Sequence, residues 1–185
     1  LMVVRNLRRF MVSEFSHEHP LCSQLISKFD KPEILYLAGL FHDIAKGNHG
    51  DHSLFGMRRS RRFCTEHGLS SEDTELVSWL VGNHLTMSAI AQKKDLSDPE
   101  VISDFATHVK NERRLIAIYL LTVSDICATS PKVWNTWKGK LLEHLFWETW
   151  RYLCGEPAKA GGTLENRKIK ALELLQCDPI PADKY

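Results

Sequence analysis

Residues 115–127 read Leu-Ile-Ala-Ile-Tyr-Leu-Leu-Thr-Val-Ser-Asp-Ile-Cys, a helix-length run that is apolar on every side. A helix with no polar stripe belongs in the middle of a bundle, so other helices must surround it. The remaining sequence supplies them. Val3, Val4, Leu7, Phe10, Met11 and Phe15 recur in steps of three and four, which predicts a first amphipathic helix reaching Phe15. Pro32 and Gly47 bracket a second over 33–46, and Gly68 closes a third over 53–67. Ser70-x-x-Asp73 opens a fourth, running towards His84. Asp98 and Pro99 open a helix to about Val109, and Asn111 caps the next, which reaches Ala128 before Pro131. A long helix over 132–154 ends at Gly155; small residues at 158–162 make a linker to a last short helix over 163–176. No segment alternates as a strand would, so the expected fold class is all-α.

Charge and cysteine usage exclude several roles. Lys plus Arg at 24 against Asp plus Glu at 23 leaves +1, so no overall field recruits nucleic acid or an anionic membrane surface. The longest apolar stretches, 34–41 and 115–123, fall short of the roughly 20 residues of a membrane span. Five cysteines without a Cys-x-x-Cys pair argue against a disulfide framework or a thiolate zinc site and for a reducing, cytoplasmic setting. The start at Leu1, with no initiator Met and no signal-peptide pattern, leads us to expect a piece of a longer multidomain chain.

The chemistry lies where polar residues interrupt predicted core. Asp125 sits inside the apolar 115–127 run, and a carboxylate there costs several kcal/mol unless it is paired, hydrogen-bonded, protonated or bound to a cation. A salt bridge to an arginine or a place at a helix end would also satisfy it. His42-Asp43 follows the apolar run 34–41, with Lys46 one turn later. His52 falls near the start of the third helix and His84 at the end of the fourth. Imidazoles and carboxylates without thiolate suit divalent Mn, Mg, Fe or Zn in an open site, and two such ions activate water and clamp the oxygens of a phosphoryl group.

The order His42-Asp43, His52, His84, Asp125 resembles the HD superfamily of metal-dependent phosphohydrolases, in the form whose extra histidines support two metals. The resemblance implies an all-α HD-domain bundle over 1–155, followed by a linker and short helix over 156–185. It implies that His42, Asp43 and Asp125 hold the first ion, that His52 and His84 hold the second, and that Asp43 and Lys46 act in catalysis, Lys46 on the phosphate. The ions would be Mn or Mg, with Fe or Zn as alternatives. The family's first histidine falls just before Leu1; within the chain, His17 and His19 are the upstream histidines.

Further blocks carry a closer likeness: Leu40 to Gly47, Gly50-Asp51-His52-Ser53, Asp73 to Val77, Asn83-His84-Leu85, Thr122 to Thr129 and Trp134-Asn135-x-Trp137-Lys138. They are similar to the branch of the family that removes UMP from a tyrosine of the nitrogen-regulatory protein PII. Chains of that branch also carry a nucleotidyltransferase domain and glutamine-sensing ACT domains. The implied function is metal-dependent hydrolysis of uridylyl-tyrosine on PII. The alternatives are an HD phosphohydrolase acting on a free nucleotide, or a metal-poor regulatory module that docks PII or neighbouring domains.

Other features read as structural. Arg58, Arg59, Arg61 and Arg62 spread around a helix as a solvated face, and Trp134 with Trp137 and Trp147 with Trp150 are helical pairs suited to packing. The cysteines read as small buried apolar residues, Cys127 pointing away from Asp125. His67 and His108 fall near helix C-termini, and His49 in a hydrated loop.

Overall fold

The computed structural model describes residues 1–44, 46, 52–129 and 134–155. Among them there are nine α-helices and no strand: α1 (Met2–Phe10), α2 (Pro20–Ser27), α3 (Pro32–Phe41), α4 (His52–Glu66), α5 (Ser71–Asn83), α6 (Thr86–Lys93), α7 (Pro99–Val109), α8 (Glu112–Thr129) and α9 (Thr136–Leu153). The all-α expectation holds. The predicted linker and last helix, 156–185, lie outside the described residues. No described helix is long and apolar enough to cross a membrane.

The apolar run is the axis of the bundle. Leu115, Ala117, Ile118, Leu120, Leu121 and Val123 of α8 have no exposed surface, and α1, α2, α3, α5, α6, α7 and α9 all pack on this helix. Burying side chains of this size contributes about 1.5–3 kcal/mol each before the entropy of ordering the chain is counted. Two glycines permit close approaches between helices. A Cβ added to Gly39 of α3 would stand 3.1 Å from Val3 Cγ1 and 3.3 Å from Leu7 Cδ1 of α1. One added to Gly56 of α4 would stand 3.0 Å from Val81 Cγ1 of α5.

Helix starts follow the capping chemistry. Ser70 accepts from the Asp73 amide, Asp98 from that of Glu100, and Asn111 from that of Arg114. Asn135 accepts from the Lys138 amide, so α9 starts at Thr136. Trp134 therefore precedes the helix that holds Trp137, and the two are not a pair on one helix face.

Four expectations need correcting. The first helix stops at Phe10; Val12 is extended and Ser13–Phe15 form a separate 3-10 turn. The turn brings Phe15 under the Arg9 guanidinium at 3.7 Å while Arg9 pairs with Glu18 at 2.6 Å, contacts that a continuous helix to Phe15 would not provide. Helix α3 ends at Phe41 rather than running to residue 46, so His42, Asp43 and Ile44 occupy turns. Two short helices were not anticipated: α2, with Pro20 at its first position and Cys22, Leu25 and Ile26 buried, and α6, whose Leu85 cap makes no side-chain hydrogen bond. Finally, Cys22 and Cys64 are buried as expected, but Cys127 is only partly so and Cys154 is exposed.

Candidate metal centre

Two helix ends and the last turns of a third helix build the site. His42 is the C-cap of α3, with its amide bonded to the Ala38 carbonyl at 2.9 Å, and Asp43 follows it. His84 is the C-cap of α5, and Asp125 lies in the last turns of α8, just after the fully buried Ser124. The four side chains converge. His42 Nε2 is 3.3 Å from Asp125 Oδ1 and 3.7 Å from Asp43 Oδ2, and His84 Nε2 is 3.9 Å from Asp43 Oδ1. The two imidazoles meet edge to face, with ring centroids 5.3 Å apart. His84 is almost wholly buried, while the side chains of Asp43 and Asp125 keep 33% and 23% of their surface, so the site has a closed floor and an open mouth.

The second nitrogen of each ring is already committed. His42 Nδ1 donates to the Gly39 carbonyl at 2.9 Å, and His84 Nδ1 donates to the Val81 carbonyl at 2.7 Å. A carbonyl can only accept, so these bonds place a proton on each Nδ1 and leave Nε2 as a lone pair in the neutral ring. Both lone pairs then face carboxylate oxygens. Acceptors opposed across 3.3–3.9 Å call for a positive charge between them, whether a proton or a metal ion. Two ligands on one ion at about 2.1 Å each stand about 3 Å apart, close to these separations. Histidine metal ligands with the other nitrogen bonded to a backbone carbonyl are a recurring arrangement, because the bond fixes both tautomer and ring orientation. The donor set therefore fits a divalent cation of the Mn, Mg, Fe or Zn type. No three His, Cys, Asp or Glu side chains among the described residues already form a ligand cluster, so a bound ion has to draw these atoms inward.

The titration behaviour matches the geometry. Burial disfavours the charged form of His42, but Asp125, the Gly39 carbonyl and Asp43 outweigh it and raise the pKa above its ordinary value. At His84 burial dominates and lowers the pKa, which keeps that ring neutral. Burial would raise Asp43, yet the hydrogen bond from Lys46 and the nearby imidazoles bring it down, so it stays a carboxylate. Lys46 Nζ lies 2.8 Å from Asp43 Oδ2 and is 72% exposed. It belongs to the turn after α3, not to the same helix face as His42.

His52 opens α4, and its side chain lies outside what is described, as does His49. The upstream histidines do not join the site: His17 is exposed, and the His19 ring packs edge-on against Phe10 and Trp134 with Nε2 3.7 Å from Cys127 Sγ. Asp125 has no arginine partner among the described residues. What sequence reasoning missed is the supporting layer: the Gly39 and Val81 carbonyls, and Asn6 Nδ2, which donates to the Ser124 carbonyl at 2.9 Å beside Asp125. The one visible signal was each histidine's place at the end of an apolar helix, where its ring can reach back three residues.

Paired imidazoles and carboxylates at one end of an all-α bundle are what an HD domain presents, and the chain belongs to the HD domain family, which it matches over residues 5–131. Along its whole length it is similar to the bifunctional uridylyltransferase/uridylyl-removing enzymes of Nitrosospira multiformis, at 67% identity, and Burkholderia thailandensis, at 59%. All of this chain is covered, but only 21% and 22% of those proteins, so it spans about a fifth of the relatives' length. No solved structure matches the chain.

Proposed function

We propose that this domain hydrolyses the uridylyl-tyrosine phosphodiester of the nitrogen-regulatory protein PII, releasing UMP and restoring the tyrosine hydroxyl. The observation that carries the reading is the pair of backbone-anchored imidazoles whose Nε2 atoms face Asp43 and Asp125. The names of its relatives supply the uridylyl group. His42, Asp43 and Asp125 would hold one divalent ion and His52 with His84 a second; the carboxylates suit Mn or Mg, and the imidazoles also accept Fe or Zn. Bound there, the ions supply Lewis acidity, which acidifies water and withdraws charge from phosphoryl oxygens.

The chain's own residues then have distinct tasks. The Gly39 and Val81 carbonyls hold the imidazoles in their ligating tautomer. Asp43 and Asp125 keep the site anionic enough to retain a dication. Lys46, on a mostly exposed stem, can pass from Asp43 to a phosphodiester oxygen and hold the substrate's charge. Overall, water adds to phosphorus, the bond from phosphorus to the tyrosine oxygen breaks, and that oxygen leaves with a proton.

The test is UMP release from uridylylated PII, with Mn²⁺, by a chain extended at both ends towards its relatives' length. His42→Ala is expected to reduce release at least ~10²-fold by removing an ion ligand. Unchanged release from the variant would exclude this site. Turnover of free cyclic nucleotides or nucleoside triphosphates in place of uridylylated PII would move the substrate to a free nucleotide.

A further inference from the structure

Large apolar side chains stand bare on the segments that carry this site. Ile44, Phe55 and Leu85 are 44%, 41% and 50% exposed. Ile44 follows Asp43, Leu85 follows His84, and Phe55 lies in the first turn of α4, which His52 opens. They come from three separate stretches of chain, yet the packing joins those stretches. A Cβ added to Gly56, next to Phe55, would stand 3.8 Å from Ile44 Cγ2 and 3.0 Å from Val81 Cγ1, and Val81 is the residue whose carbonyl anchors His84. Burial in the fold does not explain these residues, and apolar surface gathered beside a polar site marks a place where something docks.

The charge beside them is also uncommitted. Arg61 pairs with Glu75 and Arg62 with Glu66, but Arg58 and Arg59 form no ion pair with a described carboxylate. The Arg59 guanidinium instead lies 4.8 Å over the Phe55 ring. All four arginines are exposed, as a solvated face requires, but two are paired with carboxylates, and Arg59 lies against the apolar rim.

Resting on the hydrolase reading above, we infer that this rim is the docking surface for the polypeptide that carries the phosphodiester. Its occupant is a protein segment with apolar side chains flanking the modified tyrosine and acidic ones set against Arg58 and Arg59. A free mononucleotide is polar on most of its surface and does not cover apolar side chains from three stretches of chain. A tyrosine within a polypeptide brings further residues at about 3.3 Å intervals on both sides, enough to reach past the site in each direction.

The test compares two substrates, uridylylated PII and the 4-nitrophenyl ester of UMP, in the extended chain. The double variant Phe55→Ser/Leu85→Ser is expected to lose at least tenfold in kcat/KM on the protein substrate, through KM, and to keep its rate on the ester within twofold. Its melting temperature, measured alongside, should stay at the wild-type value. Arg59→Glu is expected to raise KM for the protein alone, by an amount that shrinks with added salt. Equal losses on both substrates would overturn the inference, because the rim would then serve the site's integrity. No loss on either would overturn it as well. If the wild-type chain cleaves the ester but not the protein, the PII assignment and the docking surface fall together while the hydrolase stands. If it cleaves neither, the hydrolase reading falls too.

Discussion

Two carboxylate clusters occupy opposite ends of α5, and their partners differ in kind. Near its start, Asp73 is 5% exposed and meets Lys31 Nζ at 2.6 Å, Arg113 Nη2 at 2.9 Å and the Ser70 hydroxyl at 2.7 Å. Past its other end, Asp43 and Asp125 meet imidazoles whose proton-bearing nitrogens are turned away to backbone carbonyls. Both clusters lie at helix termini, Asp73 buried and Asp43 with Asp125 partly exposed. Asp73 has its positive charge covalently on the chain, so it is electrostatically complete and leaves nothing for a ligand to supply. At the other end Lys46 reaches Asp43, but the neutral His42 ring sets an acceptor against the Asp125 carboxylate, a contact that a proton or a cation completes. Burial of a carboxylate therefore says little about function until its donors are counted.

That contrast can be broken most directly by removing Asp73. Asp73→Ala should cost about 3 kcal/mol in a denaturant titration, the low end for a severed buried pair because Arg113 keeps Asp30 and Glu72 as partners. Hydrolysis by the folded fraction should be unaffected. A variant as stable as wild type would show that the Asp73 cluster is not structural.

Adding a divalent ion sharpens the comparison from the other side. At a hundred times its dissociation constant, Mn²⁺ should stabilise the wild-type domain by roughly 2.7 kcal/mol, read as a rise in melting temperature. Asp73→Ala should keep that increment and Asp125→Ala should lose it. Equal increments in the two variants would place the ion elsewhere.

Acid gives the smallest effect. Burial alone would raise the Asp73 pKa, but hydrogen bonds from Lys31, Arg113 and Ser70 overcome it and bring it from 3.8 down to about 2. A depressed folded-state pKa adds stability above the unfolded value and loses it as pH falls through the folded one. Asp73 should thus contribute about 2 kcal/mol at neutral pH, declining from pH 4 towards pH 2. The stability gap between wild type and Asp73→Asn, followed by urea unfolding across that range, should narrow accordingly. A gap that stays constant with pH would mean that the charge is not what holds this end together.

The sequence made the architecture legible because its strongest pattern, the all-round apolar run of α8, admits one kind of solution. It also made the site's order legible: His42, Asp43, His84 and Asp125, drawn from three separate helices, come together. The end of α3 was hidden because Ile44-Ala45-Lys46 continues a helical pattern and Gly47 offers a later stop, whereas the turn begins where His42 reaches back to Gly39. Backbone carbonyls have no letter in a sequence, so the groups that orient both imidazoles could not be named in advance. Asp73 showed only as a capping residue, since Lys31 and Arg113 reach it from about 40 positions away on either side. The Asp73 carboxylate and those of the candidate site differ in their partners, which only the fold assembles.

The match to the HD family ends at residue 131, yet α9 begins at Thr136 and sends Leu142, Leu145, Phe146 and Trp150 into the core. The Phe146 ring lies 4.9 Å from that of Tyr119, in the middle of α8. The stretch that the family as a whole matches is therefore shorter than the stretch that shelters the central helix. Grafting this module into another protein, or trimming it for expression, means carrying α9 along with it. Without α9, a flank of the helix that presents Asp125 would face water, and the graft would bring the residues that match the family without the wall that keeps them in place.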